Sequence, residues 1–229
     1  MARIVKKHDV RLNEIIDAAQ MLFYTKGFDV ASVNEIINTI GIAKGTFYHY
    51  FSSKYDLLNA VIERFITQIS ESIQPIMQDE NMNAVEKLNT CFRQIGQIKF
   101  EKKEFMFDLL KIMNRDENIV LRYKMITRSI EFLTPIISQI IQQGMSEGLF
   151  NTEYPLESAE YILSISGYLN AKVSRVIFEI IGKKQDIKVL MDIYTAYQRT
   201  IERIIGAAEK SVCLVDPALI EKFFNSEEE

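Results

Sequence analysis

Apolar side chains recur along most of this chain at the three- and four-residue spacing of amphipathic helices. From Arg11, the positions Leu12, Ile15, Ile16, Ala19, Leu22 and Phe23 fall on one face, and Lys26-Gly27 closes the pattern with a basic last turn and a helix-ending glycine. Ser32 and Glu35 then form a capping-box pair. The pattern predicts that the Ser32 hydroxyl accepts from the amide at position 35 while the Glu35 carboxylate reaches back. The helix they open turns Val33, Ile36, Ile37 and Ile40 to one side and stops at Gly41, which suits the positive φ of a tight corner. A brief aromatic helix follows over 44–51, and Ser53 with Asp56 marks the next N-terminus. The helix from Lys54 carries Leu57, Leu58, Val61, Ile62, Phe65 and Ile69 and is expected to stop at Pro75.

Beyond a break at 78–83, helices are expected over 83–102, 104–113, 117–146, 155–181, 186–208 and 217–224, with loops at 148–154 and 182–185 and a kink at Pro135. No strand alternation and no internal repeat is visible. The fold class is all-α, and a content of 9 Gly and 4 Pro in 229 residues agrees with long helices.

Net charge at first argues against a nucleic-acid binder, because 31 acids outnumber 27 Lys and Arg. The imbalance is uneven: residues 1–60 sum to +1 and the remainder to −5. Arg3, Lys6, Lys7 and Arg11 against the single acid Asp9 make the first residues a basic arm, which reads either as a phosphate-seeking tail or as an exposed solubilising terminus. The acidic end, Glu227 to Glu229, reads as solvated tail. The longest uncharged stretch, 132–146, is too short and too rich in Gln and Ser for a membrane span of about 18 to 20 apolar residues. There is no secretory h-region, and Cys91 and Cys213 form no close pair, so a cytoplasmic, reduced protein is expected.

Two short helices around the corner at 39–42 have the layout of a helix-turn-helix. The run GIAKGTFYHYFSSKYDLL, 41–58, preceded by FYTKGFDVAS, 23–32, makes it specific. This sequence resembles the TetR family of bacterial transcriptional regulators, closely over residues 10–62 and in length and helix pattern thereafter. The resemblance implies a helix-turn-helix domain over 1–53, with its basic arm over 1–10. It also implies a helical regulatory and dimerisation domain over 54–229, ending in the acidic tail 225–229. It further implies a homodimer on a palindromic operator, a small-molecule inducer, a repressor rather than an activator, and no catalytic, metal or cofactor site.

Carried onto this chain, the recognition helix spans 44–50, the start of the preceding helix is Ser32, and the backbone-clamping lysine is Lys54. Ser32 and Lys54 lie at helix N-termini, where free amides and the dipole favour phosphate. Lys44, Gly45 and Thr46 lead into the major groove, with Lys44 suited to guanine O6 and N7 and Thr46 to a thymine methyl. Tyr48 and Tyr50 brace the sugar-phosphate backbone; His49 between them reads either as a contact or as an exposed bystander. Phe47 and Phe51 are expected to root the short helix on Leu22, Ile36 and Leu57. Ala43 stands where the family usually has Ser or Thr as N-cap, a loss of about 1 kcal/mol.

In the last two long helices, Ile162, Leu169, Val173 and Val176, then Tyr194, Tyr197, Ile201 and Ile204, form apolar seams. Periodicity leaves open whether these are core or interface, and the resemblance makes them the candidate dimer interface. Phe92, Phe105, Leu109, Met113, Tyr123 and Tyr168 are ordinary core or the lining of a ligand pocket, and few charges share their faces, so a mostly apolar inducer is expected. His8 and His49 are the only histidines, and no HExxH, nucleophile elbow or phosphate-cradling glycine loop occurs. The alternatives are a helical adaptor docking a protein partner and a thiol-based redox-responsive regulator using Cys91 or Cys213.

Overall fold

The computed structural model describes residues 8–215 together with 218, 220 and 224. Most of the basic arm, the helix expected over 217–224 and the acidic tail 225–229 lie outside the described residues. Among those described there are nine α-helices, one 3-10 turn and no strand: α1 His8–Lys26, α2 Val33–Ile40, α3 Lys44–Tyr50, α4 Lys54–Gln78, α5 Ala84–Glu101, α6 Lys103–Met113, the turn Asp116–Asn118, α7 Ile119–Ser146, α8 Pro155–Ile181 and α9 Ile187–Ile205.

Two helix ends differ instructively from expectation. α4 does not stop at Pro75 but runs three residues past it to Gln78. A proline removes one N–H and crowds the carbonyl four residues back, and here that damage falls in the last turn. α7 likewise passes through Pro135 as one helix.

The chain divides into two compact units, and not after residue 53. The first comprises residues 1–65 and 102–121; the second comprises 66–101 and 122–229. α4 contributes to both. The first unit therefore includes α6 and the 3-10 turn, drawn from the middle of the sequence. Their membership rests on packing that no local pattern announces. Phe105, 1% exposed, lies 4.4 Å from the Tyr24 ring and 6.1 Å from that of Phe65. The Asp108 carboxylate accepts the Phe28 N–H at 3.2 Å, and Arg115 meets the Asp29 carboxylate at 2.7 Å. Gly27, at φ +84°, leaves room for this, since a Cβ there would lie 2.1 Å from Asp108 Oδ2.

In the second unit α8 packs along α9, with the Tyr197 hydroxyl donating to the Ile162 carbonyl at 2.5 Å. The end of α7 is tied to the start of α5: Glu147 accepts the Ala84 N–H at 2.8 Å, and Gln143 donates to the Met82 carbonyl at 3.0 Å. Gly167 of α8 presses on Ile126 of α7, where a Cβ would sit 3.0 Å from its methyl group. After α9, residues 211–213 are held by Asn89 and Glu202, the latter buried and paired with Arg199 at 2.6 Å.

Candidate nucleic-acid interface

The first unit presents α3 on a rigid base. Ser32 caps α2 as its sequence requires, accepting the Glu35 N–H at 3.1 Å. Glu35 also bonds to Lys26 of α1, and that bond, joined by the Ser32 backbone amide, holds its carboxyl below the usual carboxylate range. That ion pair links α1 to α2. Gly41 takes φ +65°, and the Ile42 N–H returns to the Ile37 carbonyl at 3.1 Å, closing the corner that leads into α3.

α3 is only seven residues long, too short to be stable in isolation. Phe47 is fully buried and Phe51 nearly so, and Leu22, Ile36 and Leu57 are buried as well. Burying a phenylalanine contributes about 1.5–3 kcal/mol, which fastens the helix from one side. Its other side is open. Lys44, Gly45, Tyr48 and His49 are exposed, with Thr46 and Tyr50 half-buried. A Cβ added to Gly45 would meet no atom within 4 Å, so the leading turn is clear for close approach. Lys44 reaches back over the Tyr48 ring at 5.9 Å, and Tyr48 stands edge-on to Phe47. Ala43 makes no side-chain cap, as the sequence requires.

Two placements were not expected. His8, read as part of the arm, starts α1 and lies 4.8 Å from the Tyr50 ring and 6.4 Å from His49. The three rings form a cluster at the trailing end of α3. Its only sequence sign is a second histidine in the basic arm. Lys54 does not project freely: its ammonium lies 4.3 Å over the Phe28 ring and 3.3 Å from the Asp29 carbonyl, and burial pulls its pKa down against the opposing pull of Asp29. Ser32 is exposed, its oxygen already engaged with the Glu35 amide.

The ligand and interface candidates are not gathered in one place. Phe105, Leu109 and Met113 are buried in α6 of the first unit, Phe92 lies half-buried in α5, and Tyr123 and Tyr168 are 70% and 77% exposed. Of the seam residues, Ile162, Val173, Val176, Tyr197 and Ile201 are buried within the single chain, whereas Leu169, Tyr194 and Ile204 are half-buried. The buried members are therefore covered within the single chain, and Tyr197 reaches α8 at the Ile162 carbonyl. The outward face of α8 carries Tyr161, Ile165 and Tyr168 instead. Among the described residues, no three His, Cys, Asp or Glu side chains group to hold a metal ion, and no helix is long and apolar enough to cross a membrane.

A short exposed helix braced by aromatic roots in a three-helix head, followed by a larger helical unit, defines a helix-turn-helix DNA-binding regulator. Residues 15–61 match the family described as bacterial regulatory proteins, tetR family, and residues 105–187 match the tetracyclin repressor-like C-terminal domain. The chain is 22% identical to the uncharacterized HTH-type transcriptional regulator YfiR of Bacillus subtilis over 206 residues, covering 87% of this chain and 96% of that protein. It is 38% identical to the regulator YvdT of the same organism over 69 residues, 30% of this chain and 36% of that one. Among solved structures, RolR in complex with resorcinol superposes with a TM-score of 0.62 at 16% identity, over 94% of this chain and 93% of that one. The fatty acid degradation regulator FadR of Bacillus halodurans gives 0.57 at 19% identity, over 89% and 99%. This chain belongs to the TetR family of transcriptional regulators, and membership makes it a DNA-binding regulator rather than an enzyme.

Proposed function

We propose that the protein is a ligand-responsive repressor that binds a palindromic operator as a homodimer and is released by a small, mostly apolar inducer. The observation that carries the reading is the asymmetry of α3, whose Phe47 face is buried while Lys44, Gly45, Tyr48 and His49 stand open on a turn with room for a partner. Lys44 and Thr46 read base edges in the major groove; Ser32, Tyr48, His49, Tyr50 and Lys54 hold the backbone. Lys54 leaves the Phe28 ring and the Asp29 carbonyl to reach a phosphate. Curated relatives include the repressor KstR2 of Mycobacterium tuberculosis and the activator FasR of Mycolicibacterium smegmatis, matched over 40% and 33% of this chain.

Dimerisation follows from recognition arithmetic, since one short helix reads too few base pairs to select a genomic site and two half-sites about 34 Å apart do so. The outward face of α8 supports it: Tyr161, Ile165 and Tyr168 recur at four and three residues, beside the small, exposed Ser164 and Ala171. Ligand held in the second unit acts through α4, the helix common to both units, and changes the fit of the recognition helices to DNA.

Selection of bound sites from random DNA tests the reading, with an inverted repeat as the expected product. Lys44→Ala is expected to change the base preference. Lys54→Ala is expected to weaken all sites alike and to flatten the log-log salt dependence by about 0.9. Binding without inverted symmetry, or insensitive to salt, would instead mark a helical adaptor for a protein partner.

A further inference from the structure

Two acids flank the part of the first unit that the proposed function turns toward DNA phosphate. Glu35 lies in the first turn of α2, and Asp29 lies in the loop three residues before its cap, Ser32. An acid there has the wrong charge for a phosphate-facing surface, because it repels the nucleic acid and competes for the cations that would hold it. Each is met by a cation from another element: Glu35 by Lys26 of α1, and Asp29 by Arg115, 86 residues downstream, at 2.7 Å.

The backbone on both sides of that second pair is fixed. The Arg115 carbonyl accepts the Asn118 N–H at 3.0 Å, and the buried Asn118 side chain donates to the Ile112 carbonyl at 2.9 Å. From this anchored turn the guanidinium donates to the Asp29 carboxylate and to the Tyr55 hydroxyl. In the loop it reaches, Phe28 is 2% exposed and gives its N–H to Asp108, and the Ala31 N–H returns to the Gly27 carbonyl at 3.1 Å. Lys54, the neighbour of Tyr55, lies over the Phe28 ring and donates to the Asp29 carbonyl. Asp29 is thereby shared, its carboxylate turned to Arg115 and its carbonyl to Lys54. With Arg115 removed, that carboxylate would stand without its partner beside an ammonium whose charge it already favours.

We infer that Arg115 is a positioning residue for DNA binding: by occupying the Asp29 carboxylate, it keeps the Lys54 ammonium free to leave the Phe28 ring for a phosphate. Arg115 acts through Asp29 and Lys54 and does not touch DNA itself. This rests on the proposed role of Lys54 as backbone clamp, and it ties that clamp to a residue from the middle of the chain. The Arg115 and Asp29 side chains are 38% and 61% exposed, so solvent screens the pair and its effect on binding is modest, about two- to fivefold.

The test follows the full chain binding a fluorescently labelled duplex of random sequence at several low salt concentrations. Arg115→Gln is expected to weaken binding about two- to fivefold and to flatten the log-log salt slope by up to about 0.9, the value of one phosphate. Arg115→Lys keeps the charge and is expected to retain most of the affinity. Asp29→Asn is expected to bind at least as tightly as the unaltered chain, and adding Arg115→Gln to it, or to Lys54→Ala, is expected to change neither affinity nor slope. A merely structural role for Arg115 would not be cancelled by removing Asp29. Equal weakening by Arg115→Gln with and without Asp29, or no weakening at all, overturns the inference and leaves the clamp standing if Lys54→Ala alone weakens binding and flattens the slope. If Lys54→Ala changes neither, the clamp reading falls and the inference with it.

Discussion

Replacing Ala43 with Ser should strengthen the recognition helix without touching its exposed face. The backbone at Ala43 is already extended, at φ −74° and ψ 150°, close to the −102° and 153° of Ser32. In this protein Ser32 and Ser53 each accept the amide three residues on, at 3.1 and 3.0 Å. At α3 the Thr46 N–H has no such acceptor and closes a tighter bond on the Ala43 carbonyl at 2.9 Å, which the Phe47 N–H also uses at 3.3 Å. A serine oxygen would take the Thr46 N–H and leave that carbonyl to Phe47. An N-cap contributes about 1 kcal/mol, equivalent to roughly a fivefold change in the local opening equilibrium. Native-state hydrogen exchange at the amides of 47–50 should slow by about that factor in the Ala43→Ser variant, and Ser32→Ala should speed exchange in α2 comparably. Operator affinity should rise by no more than the same factor, because a helix already formed has less ordering left to lose on binding. If exchange in α3 is unchanged while α2 responds, the Phe47 and Phe51 roots alone set its stability and the capping argument fails.

Gly27→Ala should destabilise the first unit by more than about 1 kcal/mol, since it combines φ +84° with a Cβ 2.1 Å from Asp108. Asp108→Ala in that background should recover only part of the loss in a urea titration, because the backbone strain remains. Iodoacetamide at pH 8 should label the exposed Cys213 and spare Cys91, whose thiol burial pushes up to about 11; native-state labelling of Cys91 would contradict this. Tyr168→Asp should shift sedimentation toward a monomer if the outward face of α8 joins two chains, and an unchanged dimer would place the interface elsewhere. Burial opposes the charge on Glu202, but Arg199 and the backbone amides of Val212 and Lys210 outweigh it and hold the pKa below its ordinary 4.5. Its contribution is therefore present above that value and lost as pH falls through the lowered one. Urea midpoints of the unaltered chain should drop more steeply below about pH 4.5 than those of Glu202→Gln.

Periodicity and capping chemistry located the nine helices among the described residues and the corner at Gly41, because those features depend on residues three or four apart. The roots of α3 could also be read, since Phe47 and Phe51 had no other apolar face to join. What a covered face meets is a different matter. Ile162, Val173 and Tyr197 show an apolar stripe whether the neighbour is another helix of the chain or a second subunit, and only the folded chain shows them buried within it. Lys54 carries a charge whose partner, the Asp29 carbonyl, comes from another element, so phosphate clamping was equally consistent with local sequence.

The placement of α6 with the reading head bears on how such regulators can be recombined. The backbone passes between the two units three times, near residues 65, 101 and 121, so the head is not a detachable N-terminal module. A graft of residues 1–65 onto a foreign regulatory domain would leave Tyr24 and Phe65 without Phe105, and the loop after α1 without Asp108 and Arg115. Chimaeras that exchange operator specificity by replacing only the exposed positions of α3 keep those contacts. In lineages that share this packing, drift in the loop after α1 and drift in α6 are therefore expected to be correlated.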